Sequence, residues 1–183
     1  MLEPPPSARL VEAFANTVDV EEQSDEIATP QGLARWLADQ GMPGSDRRIT
    51  PEVHAMYLAL RSGIREQLGT HVGDAPQPDL TAAAGDVLSS HAVHVTIGGT
   101  LTAAPDVPAA RRPLVALAIA WNELVMTGSA DRLKRCAEHT CGWVFWDVSK
   151  NRSRRWCSMR VCGNRNKSRA YADRRRRRRP ADQ

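Results

Sequence analysis

The chain has 183 residues and a mass of 20.2 kDa, room for one average domain or for a domain with a small module. Hydrophobic residues make up 42%, yet no run approaches the ~18 to 20 consecutive apolar residues of a bilayer span, so a soluble protein is expected. The formal charge of +4 conceals a division: residues 1–130 carry 8 Lys+Arg against 16 Asp+Glu, net −8, and residues 131–183 carry 17 against 5, net +12. Such asymmetry marks an appended module for nucleic acid or another acidic surface. The opening Met1-Leu2-Glu3-Pro4-Pro5-Pro6 has neither the basic nor the apolar stretch of a secretory signal, which points to a reducing cytosol without disulfides.

In chain order, Leu10, Phe14 and Val18 at spacings of four predict a helix from Ser7. Thr29-Pro30 reads as an N-cap with proline at the first helical position, followed by Leu33, Trp36 and Leu37 on one face and a stop at Gly41. Thr50-Pro51 repeats the signal, and Val53, Tyr57, Leu60, Ile64 and Leu68 continue a stripe to Gly69, with Gly63 a weak point of ~1 kcal/mol relative to alanine. A linker over 71–78 precedes an Ala-rich helix over 79–91. Val93, Val95 and Ile97 alternate up to Gly98-Gly99, a hairpin signal with Leu101 and Ala103 beyond it. Leu114, Leu117, Ala118, Trp121 and Val125 define a last helix face, ended at Gly128. Trp36 and Trp121 read as core, and the acidic run Glu21, Glu22, Asp25, Glu26 reads as a solvated loop. His91 and His94 lack a third metal ligand, and no nucleophile and base stand at a spacing that brings them together, so the chain is not expected to be an enzyme.

All four cysteines lie in the basic part: Cys136-x4-Cys141 and Cys157-x4-Cys162, with fifteen residues between the pairs. Each pair can close a loop that aims both sulfurs at one ion, and tetrahedral Zn²⁺ takes four thiolates. Two disulfides and four unrelated thiols are the competing readings; crowding into 27 residues without a secretory signal favours structural zinc. Gly142 to Asp147 between the pairs is a short β-type run, and Ser158 can cap a helix that continues through Lys167 and Arg169. Trp143, Phe145 and Trp146 are expected to pack a small core around that hairpin, and Lys134, Arg135, Arg155 and Arg160 to offset the thiolate charge. The fold class is therefore α+β: a mainly helical N-terminal domain with one β-hairpin over 1–129, a small four-cysteine finger of zinc-ribbon or treble-clef-like order with a basic C-terminal helix over 130–173, and an Arg-rich tail over 174–183.

Phosphate recognition needs many cations on one surface. Arg152, Arg154, Arg155, Arg160, Arg165, Lys167 and Arg169 crowd within eighteen residues, and Arg174 and Arg175 open a run of six arginines. Asn164, Arg165 and Asn166 are side chains capable of bidentate base contacts. Neutralising six phosphates gives a log–log salt slope of about −5.

The stretches Leu133-Lys-Arg-Cys136, Cys141-Gly-Trp-Val-Phe145, Arg154-Arg-Trp-Cys-Ser-Met159 and Cys162-Gly-Asn-Arg165 resemble the CGNR zinc finger, over about residues 132–171. Upstream, Phe14-Ala-Asn16-Thr17, the Thr29-Pro30 helix, and Leu60-Arg61 to Ile64-Arg65 are similar in order to the ABATE-type domain that accompanies this finger in bacterial, stress-induced transcription regulators. The resemblance implies DNA binding by the finger, a cytoplasmic, nucleoid-associated protein, and a small-molecule or self-association role for the N-terminal domain. RNA or ribosome binding, and redox sensing by zinc release, are the alternative functions. The opposite charges carry a further expectation, that the acidic region docks on its own finger and weakens nucleic-acid binding.

Overall fold

The computed structural model describes residues 3–42 and 48–178. Arg179 lies outside the described residues, as do the side chains of Arg175 to Arg178. Six α-helices and three two-stranded antiparallel hairpins follow in the order α1 (Pro6–Ala15), β1 (Val18–Asp19), β2 (Ser24–Asp25), α2 (Pro30–Asp39), α3 (Pro51–Thr70), α4 (Pro78–Ser89), β3 (Val93–Val95), β4 (Leu101–Ala103), α5 (Arg112–Met126), β5 (Leu133–Arg135), β6 (Val144–Trp146) and α6 (Asn164–Arg178). None of the helices is long and apolar enough to cross a membrane, among the described residues. The α+β class read from the sequence holds, with one addition: the N-terminal part has a second small hairpin, β1–β2. Two-residue strands leave no alternation to read, which is why periodicity did not reveal it.

The start signals act as their chemistry dictates. Thr29 Oγ1 accepts the Gly32 N–H at 3.0 Å and Thr50 Oγ1 the Val53 N–H at 3.3 Å, each with proline at the first helical position. α3 is the central post. Tyr57, Leu60 and Leu68 along it are fully buried, against Phe14 of α1, Leu33 and Leu37 of α2 and Leu114, Leu117 and Leu124 of α5. Burial of each such side chain is worth ~1.5–3 kcal/mol. Gly63 is no weak point: a Cβ there would lie 2.2 Å from Ala84 Cβ, so its absence lets α4 pack directly on α3.

Two expectations change, and the expected β3–β4 hairpin is present. Trp36 is core, tilted against Phe14 with ring centroids 5.6 Å apart, but Trp121 is only half-buried. The acidic run is partly engaged: Asp25 forms a bidentate pair with buried Arg61, with N–O distances of 2.6 and 2.7 Å. In the β3–β4 hairpin, Leu101 and Ala103 lean on α5, while Val93, Val95 and Ile97 stay exposed because β3 lies outside that contact.

The basic C-terminal part is built into the acidic body. Leu133, Val144 and Trp146 of the β5–β6 hairpin belong to the same apolar cluster as the helices. Phe145 faces the cysteines and Trp143 is exposed, so the expected aromatic mini-core is divided between two cores and solvent.

Candidate metal centre

The first cysteine pair is shaped by backbone. The Cys136 N–H donates to the Trp143 carbonyl at 2.8 Å, continuing the β5–β6 ladder, and the N–H groups of Cys141 and Gly142 both turn back to the Glu138 carbonyl. Gly142 sits at φ +58, and a Cβ there would press on Arg65 and Val20 at 3.2 Å, so glycine is required on both counts. The second pair is shaped by a wide helical turn. Ser158 caps as expected, accepting the Val161 N–H at 3.3 Å, but the turn over Met159–Gly163 is π-type, with Gly163 N–H reaching the Ser158 carbonyl at 3.1 Å before α6 begins. The extra residue brings Cys162 round toward Cys157.

The four Sγ atoms lie within 4.8 Å of one another, with Cys141–Cys157 and Cys157–Cys162 both at 3.6 Å. Thiolates ~2.3 Å from a central Zn²⁺ stand about 3.8 Å apart at the corners of a tetrahedron, so the spacing fits the ion. A disulfide needs about 2.05 Å. Burial and the crowding of neighbouring sulfurs push the Cys157 thiol strongly up and Cys162 up to about 12, so these two thiols resist ionisation until a divalent cation is present. His139 is exposed on the knuckle and is not among the gathered ligands.

Around the sulfurs stands a buried polar frame that spacing arguments did not reveal. Lys134, expected to offset thiolate charge, instead puts its ammonium on Asp147 Oδ2 at 2.9 Å, on the Arg154 carbonyl at 3.0 Å and on the Arg152 carbonyl. Asp147, fully buried, also accepts the N–H groups of Ser149 at 2.8 Å and Arg154 at 2.9 Å. Burial works to raise its pKa, but hydrogen bonds from Ser149, Lys134 and Arg154 outweigh that and hold it at about 2. Glu138 is buried in the first knuckle. Its Oε1 accepts from Thr140 at 2.9 Å and from Arg169 at 3.1 Å, tying α6 to the knuckle. Phe145 carries the Arg154 guanidinium 5.0 Å above its ring, and that guanidinium also donates to the Cys157 carbonyl at 2.6 Å.

Asn16, Arg65 and Arg135 are among the residues that join this centre to the helices. Asn16, the C-cap of α1, pairs with Val144 like a neighbouring strand, its amide accepting the N–H and donating to the carbonyl at 2.8 Å each. Buried Arg65 donates to the Ala15 carbonyl at 2.6 Å and the Gly142 carbonyl at 2.9 Å. Arg135, another expected charge partner of the thiolates, pairs with Glu66 at 2.5 Å and Asp74 at 3.3 Å. Asn16→Ala leaves both polar groups of Val144 without a partner and is expected to destabilise the protein by about 2 kcal/mol. A urea midpoint at saturating zinc unchanged from the parent contradicts that role.

The expected phosphate-binding residues divide between two settings. Arg154 is held inside the finger. Arg152, at φ +49, reaches Asp131 at 3.2 Å. Arg155 and Arg160 are exposed, and the Arg160 carbonyl accepts the Asn164 amide at 2.9 Å. On α6, Arg165 and Arg169 turn toward the body, onto Glu21 at 2.7 Å and Glu138. At ~100° per residue, Lys167, Tyr171 and Arg174 occupy the opposite face, all exposed, with Asn164 at its margin. The side chain of Arg175 lies outside the described residues.

Comparison with known families gives two matches. The CGNR zinc finger matches residues 132–175, and the ABATE domain, described as "Putative stress-induced transcription regulator", matches residues 8–128. No curated protein matches the chain. Neither family description names an enzyme. With the longer match spanning more than half of its length and four cysteines gathered as a Zn²⁺ ligand set, the chain belongs to the ABATE family of putative stress-induced transcription regulators and carries a CGNR zinc finger after that domain.

Proposed function

We propose that the protein is a DNA-binding transcription regulator of the bacterial cytoplasm and nucleoid, in which Zn²⁺ held by Cys136, Cys141, Cys157 and Cys162 fixes the root of α6 and the outward face of α6 meets the phosphate backbone. The two-sided use of α6 carries the reading. Arg165 and Arg169 secure the helix to Glu21 and Glu138 on one side, which leaves Lys167 and Arg174 exposed on the other, and Arg155 and Arg160 are also exposed on the finger. Exposed cations on a helix anchored at its base are what a phosphate footprint requires. On this reading residues 1–129 form the regulating domain, 130–173 the finger and 174–183 an arm that extends the footprint.

Titration of a labelled duplex with the zinc-loaded full chain at stepped salt tests the proposal. A log–log slope of about −4 to −5 is expected, and no binding at about 50 mM salt overturns it. If structured RNA competes better than duplex DNA, the partner is RNA and the DNA reading fails.

Glu21 pairs with Arg165 at the side of α6 and sets a negative charge about a helix diameter from the proposed footprint. The pair is exposed on both sides, so its intrinsic worth is small, but in the complex its carboxylate opposes the incoming charge. Glu21→Gln is expected to raise DNA affinity about threefold to tenfold at low salt, with the gain fading as salt screens the surface. Equal affinities of parent and variant at low salt contradict an inhibitory contact.

A further inference from the structure

A cavity of about 390 Å³ opens between α3, α4 and α5 on the side of the domain next to the finger. Its walls are largely apolar: Leu60 and Ile64 from α3, Leu88 from α4, Trp121 and Val125 from α5. Its polar lining gathers where α3 ends and the finger begins, at Gln67, His71 and Asp131. The volume and the mixture of an apolar body with a few placed polar groups are those of a small-molecule site.

Two features here are not accounted for by contacts among the described residues. Gly85 sits in the interior of α4, where glycine is the least favourable helix residue after proline. Unlike Gly63, whose missing Cβ is needed for the α3–α4 contact, a Cβ on Gly85 would meet nothing within 4 Å, and the residue lines the cavity. Trp121, on the cavity wall, leaves part of its ring uncovered. Space kept open at a cost in helix propensity, beside an aromatic surface, accommodates a body from outside.

The polar end states what that body carries. His71 Nδ1 donates to the Leu133 carbonyl at 2.8 Å, the tautomer in which the neutral ring keeps an acceptor at Nε2, and Asp131 Oδ1 lies 4.0 Å from that nitrogen. Two acceptors at this distance are spaced to share one N–H or O–H donor. The same two residues touch the finger: His71 through the first residue of β5, and Asp131 through Arg152 at 3.2 Å.

We propose that this cavity binds a flat, largely apolar molecule with an amine or hydroxyl donor at one end, and that its occupancy tightens the finger through His71 and Asp131. The proposal deepens the regulator reading by assigning the class of ligand, and its test uses no nucleic acid, so either can fail alone.

The test uses the zinc-loaded full chain and the fluorescent phenol 2-naphthol, a flat apolar ring system with one donor at its end. Saturable binding of one equivalent is expected with Kd of about 1–100 µM, together with zinc transfer to a chelator slowed severalfold at saturation. Naphthalene, which has the rings without the donor, should compete at least tenfold more weakly. Gly85→Phe should abolish binding and Gly85→Leu weaken it at least tenfold, because both enter space that none of the described residues occupies. Gly85→Ala should retain binding, and circular dichroism of all three should match the parent. Absence of saturable binding, equal binding by Gly85→Phe, equal competition without the donor, or unchanged zinc transfer at saturation each overturns the proposal.

Discussion

Asp147→Ala is expected to destabilise the protein by about 3–5 kcal/mol and to release the finger from its zinc-binding geometry. The change leaves the Lys134 ammonium buried without its counter-charge, and it removes the acceptor for the Ser149 and Arg154 N–H groups at the same time. Asp147→Asn keeps one acceptor oxygen and loses the charge, so a smaller loss of about 2 kcal/mol is expected. Chemical unfolding at saturating zinc separates the two, and equal stability of Asp147→Ala and the parent contradicts the role. Acid should act in the same direction. The native carboxylate is held at about 2, below its ordinary value near 4, so its stabilisation is full above pH ~5 and disappears as the pH falls toward 2.

Removing zinc is expected to have the larger structural effect and a local one. α6 has no apolar stripe, and its inward anchors are Glu138 and Glu21, so its place depends on Cys162 at its root. An isolated helix of this length is marginal in water. Chelation or Cys157→Ser is therefore expected to melt α6 and the second knuckle, and to lower DNA affinity by at least about 100-fold. The β5–β6 hairpin should persist, because Leu133, Val144 and Trp146 remain in the helical core and Asn16 still pairs with Val144. Amide hydrogen exchange reads both halves at once. Protection of α6 that survives zinc removal contradicts this account.

What was legible in the sequence follows the range of the interactions. Caps, stripes and knuckles act over three to five residues, and so Thr29, Thr50, Gly41, Gly128 and the cysteine pairs could be read directly. The contacts that seat the finger cross 128 residues for Asn16 to Val144 and 77 for Arg65 to Gly142, and no local pattern encodes them. The family resemblance did contain a signal. Asn16, Thr17, Arg61 and Arg65 all stand in its quoted stretches, and the structure gives them a joint purpose, with Arg61 holding Thr17 at 2.9 Å and Arg65 closing on the finger. Charge division, the feature that first separated the two parts, was legible in sign and silent on place. Lys134 and Arg135 count toward the +12, expected from the sequence beside the thiolates, and they are engaged by Asp147, Glu66 and Asp74.

The most direct measurement is the salt slope of DNA binding for the double variant Lys167→Ala/Arg174→Ala beside that of the parent, with zinc content measured in both. Loss of about two phosphate contacts, a slope shallower by about 2 with zinc retained, is the result expected if the outward face of α6 lies on the backbone. An unchanged slope and affinity in the zinc-loaded variant contradicts the account, because it would leave the exposed face of the finger's helix with no part in nucleic-acid binding.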